Sequence, residues 1–272
     1  GDSFGQLVDY FCGKEDLKTG TIRLLHNFSL YDDPTRIFRG FRFASRYGYQ
    51  FDERTEELIK QAIDLDVIKK LSNDRLFNKL KYGLQDEYPK LFLDLLAEYD
   101  ILPYFSEEIT WNQSQKELVD QVEKVLDWVH NLEITVDFTE WVLYLMVFVV
   151  RLDRETIEDF ADQFNLSKGL TDHLVMTVEI EEVIESLRQT EQNSKIYSLV
   201  NDLVLEELLF ILVKDFSLQD KIKVYLEELQ WIETEISGND LIELGCQPGP
   251  YFKEVLAAVK EARLDQKVTS YQ

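Results

Sequence analysis

The most constraining stretch of this chain is Asp-Asp-Pro-Thr-Arg-Ile-Phe-Arg-Gly-Phe-Arg-Phe-Ala-Ser-Arg-Tyr-Gly, residues 32–48. It reads as one helix. Pro34 suits a first helical position, Gly48 suits a C-terminal stop, and Ile37, Phe38, Phe41, Phe43 and Ala44 form an apolar side. Arg36, Arg39 and Arg42 recur every three residues beside that side, a costly arrangement unless an anion or a carboxylate faces them. Asp33 and Arg36, three apart, are helix neighbours that set a hydrogen-bond acceptor beside a donor fork. Adenine and cytosine each present an amino donor next to a ring-nitrogen acceptor, so the pair matches those two bases; guanine and uracil present the reverse. The simpler role for Asp33 is to N-cap the helix that Pro34 opens, with the arginines in structural ion pairs. A carboxylate has two oxygens, and the two roles are compatible.

With 272 residues, the chain has room for one large or two to three small domains. Only five prolines and eleven glycines interrupt it, which favours helices. No run of about 18 apolar residues would span a bilayer; the longest candidate, residues 141–152, reads as a buried core helix. No signal peptide is legible. Cys12 and Cys246 lie far apart and fit no metal spacing, which points to reduced thiols in a cytoplasmic setting. The net charge of −23 argues against broad phosphate binding, but its distribution is uneven. Residues 1–86 hold 14 of the 29 Lys and Arg and 14 of the 52 Asp and Glu, so all of the excess acid lies behind them.

Ahead of the helix, residues 9–20 read as a loop with turn points at Gly13 and Gly20, and residues 21–25 as a strand. A lone strand needs partners. None is legible downstream, so the expectation is that its partners lie upstream of residue 1.

Four stretches in order carry a resemblance: residues 9–17 with Arg23, residues 32–48, Leu-Ser-Asn-Asp-Arg-Leu-Phe-Asn-Lys-Leu at 71–80, and Ile-Ser-Gly-Asn-Asp-Leu-Ile-Glu-Leu-Gly-Cys-Gln-Pro-Gly-Pro at 236–250. They resemble successive motifs of the bacterial-type tRNA nucleotidyltransferases and poly(A) polymerases. In that family a mixed-sheet head carries metal-binding catalytic carboxylates, and a helical neck, body and tail follow. The resemblance implies an all-α chain with at most a short remnant strand: a remnant of head and hinge at 1–27, a neck at 28–103, and a body and tail at 104–272. It places Asp9, Gly13 and Asp16 in the hinge motif, and Asp33 and Arg36 as the template that reads the incoming ATP or CTP base. Arg39 stands beside that template, and Arg75 falls in the motif that braces its helix, while Asp32 stands where many relatives have glutamate. The family's Gly-rich nucleotide loop, paired catalytic aspartates and Arg-Arg-Asp motif are not found in residues 1–272. Phosphoryl transfer needs metal ions to neutralise charge, so Mg2+ is expected on a missing head and these residues alone are expected to be inactive. The implied partner is tRNA. An RNA-tailing poly(A) polymerase and a non-catalytic helical scaffold are the alternative readings.

Further helices are expected at residues 52–65, 72–85, 88–99, 113–130, 138–152, 154–164, 170–187, 195–216 with a break near Leu203, 218–231, 239–244 and 251–264. His26, His130 and His173 are isolated and fit no ligand spacing; Trp111, Trp128, Trp141 and Trp231 sit near apolar helical positions and are expected in the core.

Overall fold

The stretch at residues 32–48 folds as two elements rather than one. In the computed structural model, which describes residues 5, 8–132, 138–234 and 236–268, a short helix α2 (Ser29–Asp32) stops at Asp33, and α3 (Thr35–Tyr47) starts after Pro34. Asp33 is extended (φ −144°, ψ 93°), as a residue before proline prefers to be. Gly48 ends α3 in the left-handed region (φ 66°), its N–H on the Ala44 carbonyl. Ile37, Phe38, Phe41 and Ala44 are buried as expected, but Phe43 falls off that face and is 43% exposed.

The strand also finds its partner where the sequence showed none. β1 (Thr21–Ile22) pairs in parallel with β2 (Gln50–Phe51), Thr21 opposite Gln50 and Ile22 opposite Phe51. The expectation that no partner lies downstream is therefore corrected: α2 and α3 form the crossover between two strands of two residues each, too short to leave a period-2 pattern. Residues 13–19 are helical (α1, Gly13–Thr19) rather than loop. That helix buries none of its residues, so it left no apolar stripe to read.

The chain divides into two units. The first comprises Gly1–Val119 and Glu140–Val175. Its helices α4 (Glu53–Asp64) and α5 (Asn73–Leu84) start where their caps direct: Asp52 Oδ1 accepts from the Thr55 N–H at 3.0 Å, and the Ser72 hydroxyl accepts from the Arg75 N–H. α5 meets α6 (Pro89–Glu98) at Gly83, where an added Cβ would lie 2.0 Å from the Phe92 ring, so only glycine permits this approach. The core of the unit is aromatic. Phe77 packs edge-on to Trp141 and Phe160, and Phe105 edge-on to Phe148 of α8 (Glu140–Val149), which is buried from Trp141 to Val149. α8 is thus the buried core helix expected there, and no described helix is long and apolar enough to cross a membrane. α9 (Arg154–Gln163) closes the unit.

The second unit comprises Asp120–Thr139 and Met176–Gln272. Residues of α7 (Gln113–His130) and α10 (Lys168–Arg188) are divided between the units. The helix expected at 195–216 is broken, as expected, into α11 (Asn193–Val200) and α12 (Leu205–Lys214), the latter buried from Leu208 to Val213. α13 (Gln219–Glu227), α14 (Gly238–Glu243) and α15 (Tyr251–Leu264) follow. Asp265, just past α15, accepts hydrogen bonds from the Ser194 N–H at 2.9 Å and from Gln192 Nε2 at 2.6 Å, tying the end of α15 to the start of α11. Of the tryptophans expected in the core, Trp141 is buried but Trp231, in a single 3-10 turn past the end of α13, is 70% exposed, with its Nε1 donating to the Leu226 carbonyl. Trp111 and Trp128 are half-buried.

Candidate functional site

The break before α3 is held by its own side chains. Asp33 Oδ1 accepts from the Thr35 N–H at 3.1 Å and from the Thr35 hydroxyl at 2.7 Å, so this carboxylate closes the first turn of α3 from one residue before the formal cap. Arg75, on α5, brings its Nη2 to 3.7 Å of the same oxygen. The Thr35 hydroxyl, then its backbone N–H, Arg75 and Arg36 together hold the Asp33 carboxyl below the usual carboxylate range against partial burial. Arg36 donates from Nη1 to the Ser29 hydroxyl, on the buried side of α2. Asp33 Oδ2 and the other Arg36 N–H groups have no hydrogen-bond partner among the described residues. Capping therefore consumes one oxygen of Asp33 and leaves the second as an acceptor, beside an arginine that keeps donors to spare.

Arg36 and Arg39 line a cleft of about 470 Å³ together with residues 22–26, Gly40, Phe43 and Phe51. Gly40 shapes it, since a Cβ there would lie 3.0 Å from the Phe51 ring that β2 packs against α3. Arg39 is exposed, its guanidinium 6.0 Å from the centre of the Phe43 ring. Asp33 is not among the lining residues; it sits at the α2–α3 break, facing Arg75. His26 lines the cleft and approaches Asp32 at 3.9 Å, both side chains being largely exposed.

The arginines farther along α3 are differently committed. Arg42 Nε lies 2.9 Å from Asp86 Oδ2 and Arg46 Nε 2.7 Å from Asp86 Oδ1, and the Asp86 side chain is 1% exposed. Burial disfavours the charged carboxylate, yet hydrogen bonds from Arg46, the Glu87 N–H and Arg42 prevail and hold Asp86 below the usual range. Arg42 is thus an anchor for the turn after α5. Asp86 was not legible as its partner, being 44 residues away in an otherwise undistinguished turn.

Comparison with known proteins decides the family. Residues 48–111 match the model described as "Probable RNA and SrmB- binding site of polymerase A". An A-adding tRNA nucleotidyltransferase from Geobacter sulfurreducens is 32% identical over 97% of this chain. A solved tRNA-processing enzyme with CTP superposes with a TM-score of 0.77 at 30% identity, over 96% of this chain and 70% of that one. The chain belongs to the bacterial-type tRNA nucleotidyltransferase family. Its fold is that of the helical part of these enzymes: the Thermotoga maritima CCA-adding enzyme complexed with tRNA superposes with a TM-score of 0.79 at 26% identity, over 97% of this chain and 65% of that one. The chain spans 31% of the length of the Geobacter relative.

Asp9, Gly13 and Asp16, which the resemblance assigned to a hinge motif, take part in a clasp around α1. Asp9 accepts from the Gly13 N–H at 3.0 Å and the Lys14 N–H at 2.8 Å, capping α1, and these backbone bonds lower its pKa. Asp16, on α1, takes the Nε and Nη2 of Arg23, whose Nη1 reaches Asp52 Oδ2 at 2.9 Å. One guanidinium thereby joins α1 to the capping residue of α4, a link to Asp52 that the motif alone did not announce. Among the described residues no three His, Cys, Asp or Glu side chains converge as metal ligands.

Proposed function

We propose that residues 1–272 are the nucleotide-selecting and tRNA-binding portion of a cytoplasmic tRNA nucleotidyltransferase that adds CCA, or part of it, to tRNA 3′ ends. The observation that carries this reading is the state of Asp33 and Arg36. Thr35 and Arg75 hold the carboxylate ionised and in place at the α2–α3 break with one oxygen uncommitted, while Arg36, three residues on, keeps donors to spare and lines a nucleotide-sized cleft. An ionised acceptor next to a donor fork accepts the amino hydrogen and donates to the ring nitrogen of adenine or cytosine, and mismatches both groups with guanine or uracil. Arg39, on the same cleft, is placed to meet the nucleotide's phosphates, and Arg75 and Arg42 position the helix. The Mg2+-dependent transfer step depends on carboxylates outside residues 1–272, so ATP and CTP are selected here and joined to RNA elsewhere in the longer enzyme.

Titration of the chain with each of the four nucleoside triphosphates tests the reading. Saturable binding of ATP and CTP, weakened by Asp33→Ala and Arg36→Ala, is the expected result. Equal binding of all four, or none, would leave a helical scaffold as the better account. With tRNA, magnesium and ATP or CTP, the purified chain is expected to show no nucleotidyl transfer; metal-dependent extension would reveal a catalytic site within it.

A further inference from the structure

α5 buries Leu76, Phe77, Leu80, Gly83 and Leu84, which turns Arg75, Lys79 and Tyr82 together onto its opposite side at helical spacing. Tyr82 is 45% exposed, with Lys79 Nζ 5.4 Å and the Arg42 guanidinium 5.8 Å from its ring centre. Both cations stand over the ring within cation–π range, and its exposure leaves the remaining ring surface to solvent. Among the described residues Lys79 has no carboxylate partner. The row runs about 10 Å from Arg75, beside Asp33, to Tyr82, the height of about three stacked bases. An exposed aromatic ring flanked by cations, in a chain of net charge −23, is suited to a base with its adjoining phosphates.

We propose that this face of α5 binds the unpaired 3′ end of RNA, with one base stacked on Tyr82 and its flanking phosphates on Lys79 and Arg75. The proposal rests on the RNA-binding reading above and names the contacts. The match of residues 48–111 to a family model described as RNA-binding fits that placement.

The test uses the 272-residue chain, a fluorescent unpaired decaribonucleotide and the same strand annealed into a duplex, followed by anisotropy at several salt concentrations. Tyr82→Ala is expected to weaken single-strand binding about tenfold and duplex binding much less, with Tyr82→Phe near wild type. Lys79→Gln is expected to lower the single-strand salt slope by about 0.7. Unchanged single-strand affinity in Tyr82→Ala, equal losses on single strand and duplex, or no RNA binding by the wild-type chain would each overturn the proposal. Thermal melts confirm that the variants fold. ATP and CTP titrations of the same proteins separate the two readings: loss of base preference with the Tyr82 effect intact sinks base selection at Asp33 and leaves this contact standing.

Discussion

The two ends of α3 carry the same residue at helical spacing, three apart at one end and four at the other, and use it in opposite ways. At the N-terminal end, Arg36 and Arg39 face a cleft, and Asp33 keeps an oxygen in reserve. At the C-terminal end, Arg42 and Arg46 converge on one buried carboxylate that was already paid for by folding. A guanidinium on a buried carboxylate cannot let go without stranding a charge in a poor solvent, whereas one with spare donors at a cleft loses little when a ligand arrives and gains what the ligand offers. Spacing alone therefore does not separate anchor from reader. The availability of a buried counter-charge does.

The comparison breaks most readily at Asp86. Asp86→Ala is expected to destabilise the first unit by about 3 kcal/mol, toward the lower end for a broken buried pair because both arginines are partly exposed and can rehydrate. Urea denaturation measures it, and a loss within experimental error would make the C-terminal end no more committed than the N-terminal one.

At the other end the expected effect is on selection. Exchanging the charges at Asp33 and Arg36 in the longer enzyme proposed above is expected to move the ratio of ATP or CTP to GTP or UTP incorporation by about tenfold to a hundredfold, the equivalent of about 1 to 3 kcal/mol for a matched hydrogen bond. Because Asp33 also closes the first turn of α3, stability is measured beside kinetics. Lowered stability with an unchanged ratio would reduce the pair to a structural one.

Acid sharpens the contrast. The Asp86 pKa is depressed in the folded state, so its contribution is fully present above the unfolded value of about 3.9 and is lost as pH falls through the folded value. The stability gap between wild type and Asp86→Asn is expected to hold constant from pH 7 to about 5 and to close below about pH 4. A gap that stays open at low pH would show that the charge of the carboxylate is not what stabilises this end of α3.

The smallest effect is expected at Arg39. Its near contact is the Phe43 ring at 6.0 Å, so Arg39→Ala is expected to change stability by no more than about 0.5 kcal/mol while weakening nucleotide binding. A stability loss comparable to that of Arg42→Ala would place Arg39 among the anchors.

By itself the sequence determined what is local or repeated. The caps at Asp52 and Ser72, the stop at Gly48, the break near Leu203 and the apolar periods of the long helices each depend on residues within a few positions of one another, and the structure carries all of them. On the same local ground the sequence singled out Asp33 and Arg36, whose joint role is the proposal made above. The tertiary structure alone decided what depends on distant partners or on the absence of one. β2 is two residues long and becomes a strand only because β1 lies beside it; Asp86 becomes the counter-charge of α3 only once α5 and α6 bring its turn there. Phe43 and Trp231 look like core residues until packing turns them to solvent. Burial belongs to the surroundings of a side chain, and a helix period specifies which residues share a face without specifying what will cover it.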